Sequence, residues 1–201
     1  MHIVHTESSL GWGGQEIRIL TEAAGMMRRG HAVTLLCPPQ AKIYAEAMLR
    51  GVPVVALPIA RKNMRGIYAM YRWLKTNPAD VINTHSSTDS WLVALARLFV
   101  KNPPPMIRTR HISAAVPDNA ATRWLYGKAT RHIVTTGEAL RAQLVRDNGY
   151  SPHHVTSIPT GIALNHFIPG DKMRARDLVG LPRDKTIIGI VATLRSWKGH
   201  R

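Results

Sequence analysis

Four places in this sequence put polar or glycine residues at the ends of short apolar runs or in the turns that follow them. They are Gly13-Gly14, His85, His111 and Thr136. If the runs are strands of an open parallel sheet, all four fall at carboxyl ends, the edge where such sheets hold ligands. The turn Leu10-Gly11-Trp12-Gly13-Gly14-Gln15-Glu16 leads into a segment with Ile17, Leu20, Thr21, Ala24 and Met27 at helical spacing, so it reads as strand, turn, helix. Backbone N–H groups at that helix start point into the crevice, and without Cβ atoms a ligand can approach closely. The glycines alone fit an empty tight turn equally well, and a single histidine at a strand end is more often structural. Their shared placement brings a ligand-binding edge level with the structural reading.

Other chemistries find no support. There is no H-E-x-x-H or G-x-S-x-G, and Gly127-Lys128-Ala129 lacks both the upstream glycine and the Ser/Thr of a P-loop. Counting a dinucleotide fingerprint from Gly11 and Gly13 puts Glu16 where a small residue belongs. The second strand ends at Cys37-Pro38 rather than at a ribose-binding acid, so a nicotinamide domain is disfavoured. Cys37 is the sole cysteine, which excludes an internal disulfide and a cysteine metal cluster and suggests a buried structural thiol. His153-His154 reads as a solvated loop pair. No metal and no cofactor is indicated.

The elements that must position these residues alternate along the chain. Expected strands are His2–His5, His31–Leu36, Val52–Leu57, Val81–Thr84, Met106–His111, His132–Thr135 and Val155–Ile158. Expected helices are Glu16–Arg29 closed by Gly30, Ala41–Arg50 closed by Gly51, and Asn63–Lys75 with Met64, Ile67, Tyr68, Tyr71 and Leu74 on one face. Further helices run from the polar cluster 85–89 to Phe99 and over Glu138–Asp147, and a loop with a helix around Trp124 fills 114–130. The reading is an α/β fold: a Rossmann-like, doubly wound, mainly parallel sheet with helices on both faces.

Past Asn165 the character changes. Residues 1–165 read as one domain and 166–185 as a linker with a short helix. Residues 186–201 read as the start of a second domain, an apolar strand Thr186–Leu194 followed by a basic turn. The first residues have no signal-peptide pattern, and the apolar runs are too short to span a bilayer, so a cytoplasmic setting is expected. The net charge of +15, from 27 Lys and Arg against 12 acids, predicts attraction to anions without choosing among them.

Six short motifs in order then carry a resemblance: Gly13-Gly14-Gln15-Glu16, Asp80-Val81-Ile82-Asn83-Thr84-His85, Arg108-Thr109-Arg110-His111, Thr136-Gly137-Glu138, Ile158-Pro159-Thr160-Gly161 with Asn165 to Pro169, and Lys198-Gly199. Together they resemble the N-terminal half of a family 4 retaining glycosyltransferase of the GT-B architecture. The resemblance implies a nucleotide-sugar donor and a glycan or lipid-linked acceptor, in polysaccharide or lipopolysaccharide synthesis at the cell envelope. It places Gly13 and Gly14 against diphosphate or acceptor, His111 near the transferred sugar and Lys198 on the diphosphate; His85, from its place at a strand end, is the further substrate- or phosphate-binding candidate. Where the family commonly has an arginine, this chain has Thr193, and Arg195 is the residue that would replace it. Peripheral contact with an anionic membrane, through the basic segment Arg61–Lys75, goes with a lipid-linked acceptor.

The competing reading is a non-enzymatic basic module that binds anions or nucleic acid. Against it, the basic residues are dispersed rather than interleaved with aromatics on one face, and no nucleic-acid motif is present, so no nucleic-acid partner is expected.

Overall fold

The computed structural model describes residues 1–112 and 114–191. It divides the chain into two compact units, Met1–Thr160 and Gly161–Arg201.

The first unit is built on a seven-stranded, wholly parallel sheet of order β3-β2-β1-β4-β5-β6-β7. The strands are β1 His2–Thr6, β2 Ala32–Cys37, β3 Val54–Ala56, β4 Val81–Thr84, β5 Met106–Arg110, β6 His132–Thr135 and β7 Val155–Ser157. The edge strands β3 and β7 are three residues each. All seven lie where the apolar runs predicted them. Residues alternate across the sheet, so each face has its own core. On one face Ile3, Val33, Leu35 and Cys37 meet Ile19, Leu20 and Ala23 of α1 (Gly14–Arg28) and Ile43 and Ala47 of α2 (Lys42–Leu49). On the other, Val4, Leu36, Ile82, Met106 and Ile133 meet α3 (Met64–Thr76), α4 (Ser87–Arg97) and α6 (Glu138–Asn148). Each fully buried Leu or Ile contributes about 1.5–3 kcal/mol.

Helix ends follow local chemistry. Gly30 (φ 82°) and Gly51 (φ 66°) take the left-handed conformation just past α1 and α2, which stops both helices where glycine was expected to. Asn63 caps α3, accepting from the Gly66 amide. The α3 face is rotated from the expected one: Ile67, Tyr71 and Leu74 pack on the core as expected, but Gly66, Met70 and Trp73 are buried with them, whereas Met64 and Tyr68 are exposed. The i, i+4, i+7, i+8 set centred on Met70 and Trp73 outcompetes the set containing Met64, because it buries the large indole. The segment after β5 forms α5 (Ala120–Trp124), which runs directly into a π-helical turn, Leu125–Ala129.

The second unit contains α7 (Lys172–Leu178), capped by Asp171, which accepts from the Arg174 amide at 2.6 Å. Residues 186–191 carry no strand, contrary to the expectation for Thr186–Leu194, and Ile188 and Val191 are fully exposed. A strand exists only against a ladder partner, and none of the described residues pairs with this run. The remainder of the expected strand, 192–194, lies outside the described residues, as do Arg195 and Lys198.

Candidate active site

The chain leaves β1 for β2 and β3 on one side, then returns through α3 to β4 on the other, so the topological switch lies between β1 and β4. Crevices open at the carboxyl ends of such strands. Gly13, Gly14, His85 and His111 are all brought to this edge.

Three histidines lie in a diagonal row across it. His5 pairs in register with Asn83, so His85 stands two residues farther toward the carboxyl edge on the same face of the sheet. Asn83 pairs with Ile107, which sets His111 two residues farther again. The spacing brings neighbouring imidazoles together. Nδ1 of His5 lies 2.9 Å from Nε2 of His85, and Nδ1 of His85 lies 2.9 Å from Nε2 of His111. Adjacent ring centroids are 5.2 Å apart. His5 and His85 are buried and His111 is half-buried. Burial pulls the pKa of His5 down to about 4. It also lowers His111 to about 4, assisted by the Arg18 and Arg108 guanidiniums, and holds His85 well below the ordinary histidine value. The row is neutral at physiological pH.

Beside the row a carboxyl pair ties the β1–α1 loop to the start of α4. Glu7 accepts from the Ser9 amide at 2.7 Å and from the Ser86 hydroxyl and the Gln15 amide group. Asp89 accepts from the His85 and Ser86 amides at 3.0 and 2.9 Å and from the Thr6 hydroxyl at 2.6 Å. Both acids are fully buried. Burial and the neighbouring Asp89 push Glu7 up to about 7, and burial raises Asp89 to about 6. Cys37, also buried, has its thiol pushed up to about 12 by burial and by Glu7, which leaves it inert as a nucleophile, in keeping with a structural thiol.

The glycine turn is open. No glycine in it has positive φ, and a Cβ built on Gly14 meets nothing within 4 Å. The backbone therefore tolerates a side chain at Gly14, and the space above it is what glycine preserves. One turn into α1, Arg18 is buried against the row, with Nε 2.5 Å from Glu22 and Nη1 donating to the Thr160 hydroxyl at 3.1 Å. On the opposite face of β5, Arg108 and Arg110 are buried around Tyr126 of the π turn. Arg108 lies 4.8 Å from the Tyr126 ring centroid, and Arg110 donates to its hydroxyl at 3.0 Å.

His85 spends both ring nitrogens on its neighbours, so it reaches a ligand only through His111. Thr136, at the end of β6, stands at the same edge but takes no part in the row. His154, expected in solvent, is half-buried and lies 2.8 Å from the Tyr126 carbonyl. Sequence reasoning passed over His5, Glu7, Arg18 and Asp89. The signal was present for one of them: Arg18 is a charge beside the apolar stripe of α1, whereas Glu7 stands just past β1 between Thr6 and Ser8.

Fold and site define the class: a Rossmann-like α/β domain with its ligand edge at the switch point of a doubly wound sheet. Within that class the chain belongs to glycosyltransferase family 4, whose sequence profile matches residues 12–166. The D-inositol 3-phosphate glycosyltransferase of Mycolicibacterium paratuberculosis is 25% identical over 221 aligned residues, covering 92% of this chain and 48% of the relative. A glycosyltransferase from Rickettsia africae shares the fold with a TM-score of 0.77 at 16% identity, over 99% of this chain and 54% of that one. The HepE protein of Anabaena, solved in complex with UDP, aligns at TM-score 0.70 and 14% identity, over 90% of this chain and 50% of that one. The chain thus spans about half the length of the relatives it matches, and the fold is the N-terminal Rossmann-like half of the GT-B architecture.

Proposed function

We propose that this chain is the acceptor-side half of a retaining glycosyltransferase. It would move a sugar from a nucleoside diphosphate sugar to a glycan or lipid-linked acceptor, in polysaccharide or lipopolysaccharide synthesis at the inner face of the cell envelope. The observation that carries the reading is the convergence of His111 and the open Gly13-Gly14 turn at the switch-point edge, in a chain of this family. In the proposed reaction the bond from the anomeric carbon to the diphosphate oxygen breaks. The acceptor oxygen bonds to the same face of that carbon, and its proton passes to the departing diphosphate. A neutral His111 suits a site that must donate to or accept from sugar and phosphate oxygens without neutralising the leaving group. Lys198, with Arg195 in place of the arginine absent at Thr193, supplies cationic stabilisation of that group.

Membrane contact belongs to the same reading. Helix α3 exposes Met64 and Tyr68 beside Arg65 and Arg72, and a groove of about 460 Å³ lined by Leu57, Pro58, Arg65, Tyr68, Arg72 and Trp73 runs along it. None of the described helices is long and apolar enough to cross a bilayer, so contact through this face would be peripheral.

Saturation-transfer NMR, which detects weak binding, tests the proposal on the 201-residue chain with UDP-glucose, UDP, GDP and a short DNA duplex. Transfer to nucleotide or sugar protons with a shallow salt dependence is the expected result. Binding without nucleotide preference, falling steeply with salt and shared by DNA, would instead establish the basic anion-binding module.

A further inference from the structure

Each neutral imidazole carries one proton, so a ring hydrogen-bonded through both nitrogens donates with one and accepts with the other. A row of three such rings therefore has a single direction, and fixing one end fixes the other. The inner end is Nε2 of His5, which is buried and has no hydrogen-bond partner among the described residues. If the row pointed inward, that atom would be a sealed N–H with nothing to receive it. If it points outward, the atom is a bare lone pair. Orphaned buried N–H groups are the rarer and costlier of the two.

We infer that His5 and His85 are positioning residues that lock His111 as the Nδ1–H tautomer, with that N–H presented to the crevice as a fixed donor. His5 Nδ1–H donates to His85 Nε2, and His85 Nδ1–H donates to His111 Nε2. Among the described residues His111 Nδ1 has no hydrogen-bond partner, and His111 is partly exposed. The charged groups acting on the row, Arg18 from α1 and Arg108 from β5, both oppose the addition of a proton. Burial, the larger cause and the sole one for His5, keeps each ring at one proton, and the arginines reinforce it at His85 and His111, so the row stays one-directional. The ligand this fits is an oxygen acceptor, a hydroxyl of the transferred sugar or a phosphate oxygen. That assignment rests on the proposed glycosyl transfer; the direction of the row does not.

The register makes the device specific. Strands β1, β4 and β5 each contribute one ring, two residues further along each time, so the row climbs from the closed interior to the rim. A lone histidine at position 111 would exchange tautomers freely.

The test is ¹⁵N NMR of the 201-residue chain with labelled histidine. Expected are a pyridine-type Nε2 and a protonated Nδ1 for His111, with through-hydrogen-bond N–N couplings between the His5 and His85 rings and between the His85 and His111 rings. A protonated Nε2 on His111, or absent couplings, would overturn the inference using wild-type protein alone. His5→Asn retains an amide donor where Nδ1 stood and should keep the single His111 tautomer. His5→Leu should lose it, giving a mixture. An unchanged single tautomer in folded His5→Leu would overturn the proposal as well. These ring states are read without substrate, so failure to bind any sugar nucleotide would sink the glycosyl-transfer reading and leave this measurement standing.

Discussion

At the level of single residues, the open space over Gly14 separates ligand binding from folding. Gly14→Val places its side chain where nothing stands within 4 Å, so the thermal midpoint should stay close to wild type. The added methyls would still hold a ligand away from the backbone amides. Losing one charge-assisted hydrogen bond of about 1.5–3 kcal/mol weakens binding roughly tenfold to 150-fold. Titration of sugar nucleotide against wild type and Gly14→Val, followed by saturation transfer, checks this; equal affinities would remove the turn from the site. Arg18 offers a second check. Its charge is one of the causes of the depressed His111 pKa, so Arg18→Met should raise that pKa from about 4, as read by an NMR titration. His111 could be found from the sequence because it stands immediately after a strand, and the turn glycines because they open the helix that follows one. His5 could not, because a histidine inside an apolar run has no local mark of purpose, and only the register with β4 gives it a neighbour.

At the level of elements, α3 shows where periodicity misleads. Two apolar stripes compete on one helix, and the sequence does not say which will face the sheet. Packing turned the helix toward Trp73, which kept Ile67, Tyr71 and Leu74 on the core and left Met64 and Tyr68 outside with the arginines. If that outer stripe meets an anionic bilayer, Arg65→Glu with Arg72→Glu should abolish co-sedimentation with phosphatidylglycerol vesicles. Two lost basic contacts at about 1 kcal/mol each amount to roughly thirtyfold even before repulsion is counted. Equal sedimentation of both proteins would confine α3 to a solvated face. The strands of the first unit were legible because each is a short run rich in apolar residues between turn residues, and each finds a parallel partner in the sheet. The run 186–191 has the same composition and is no strand, because a ladder requires a partner that composition cannot supply. The π turn after α5 left no sequence signal at all.

At the level of the whole molecule, buried titratable groups set the pH response, and they pull in opposite directions. His5 and His111 fall from 6.5 to about 4 on folding, so their contribution is present above pH 6.5 and is lost as pH drops toward 4. Glu7 and Asp89 rise from 4.5 and 3.8 to about 7 and about 6, so theirs is full in acid and is lost as pH rises through those values. With His85 added, three rings outweigh two carboxyls, and the thermal midpoint should fall on acidification below pH 6.5. Glu7→Gln removes one opposing proton and should steepen the fall by about 1.4 kcal/mol per pH unit between pH 5 and 6.5. Parallel melting curves for the two proteins would refute this. Both cores lie within Met1–Thr160, so a chain ending at Thr160 should fold by itself and give a cooperative calorimetric transition; a broad, non-cooperative melt would refute this. The two edge strands carry a consequence of another kind. Each is three residues long and each is bracketed by prolines, β3 by Pro53 and Pro58, β7 by Pro152 and Pro159. A stray strand from another copy would find few free amides at either margin and, beyond them, rings that cannot donate. The sheet therefore resists fibrillar growth at the two places where an open sheet is most exposed to it.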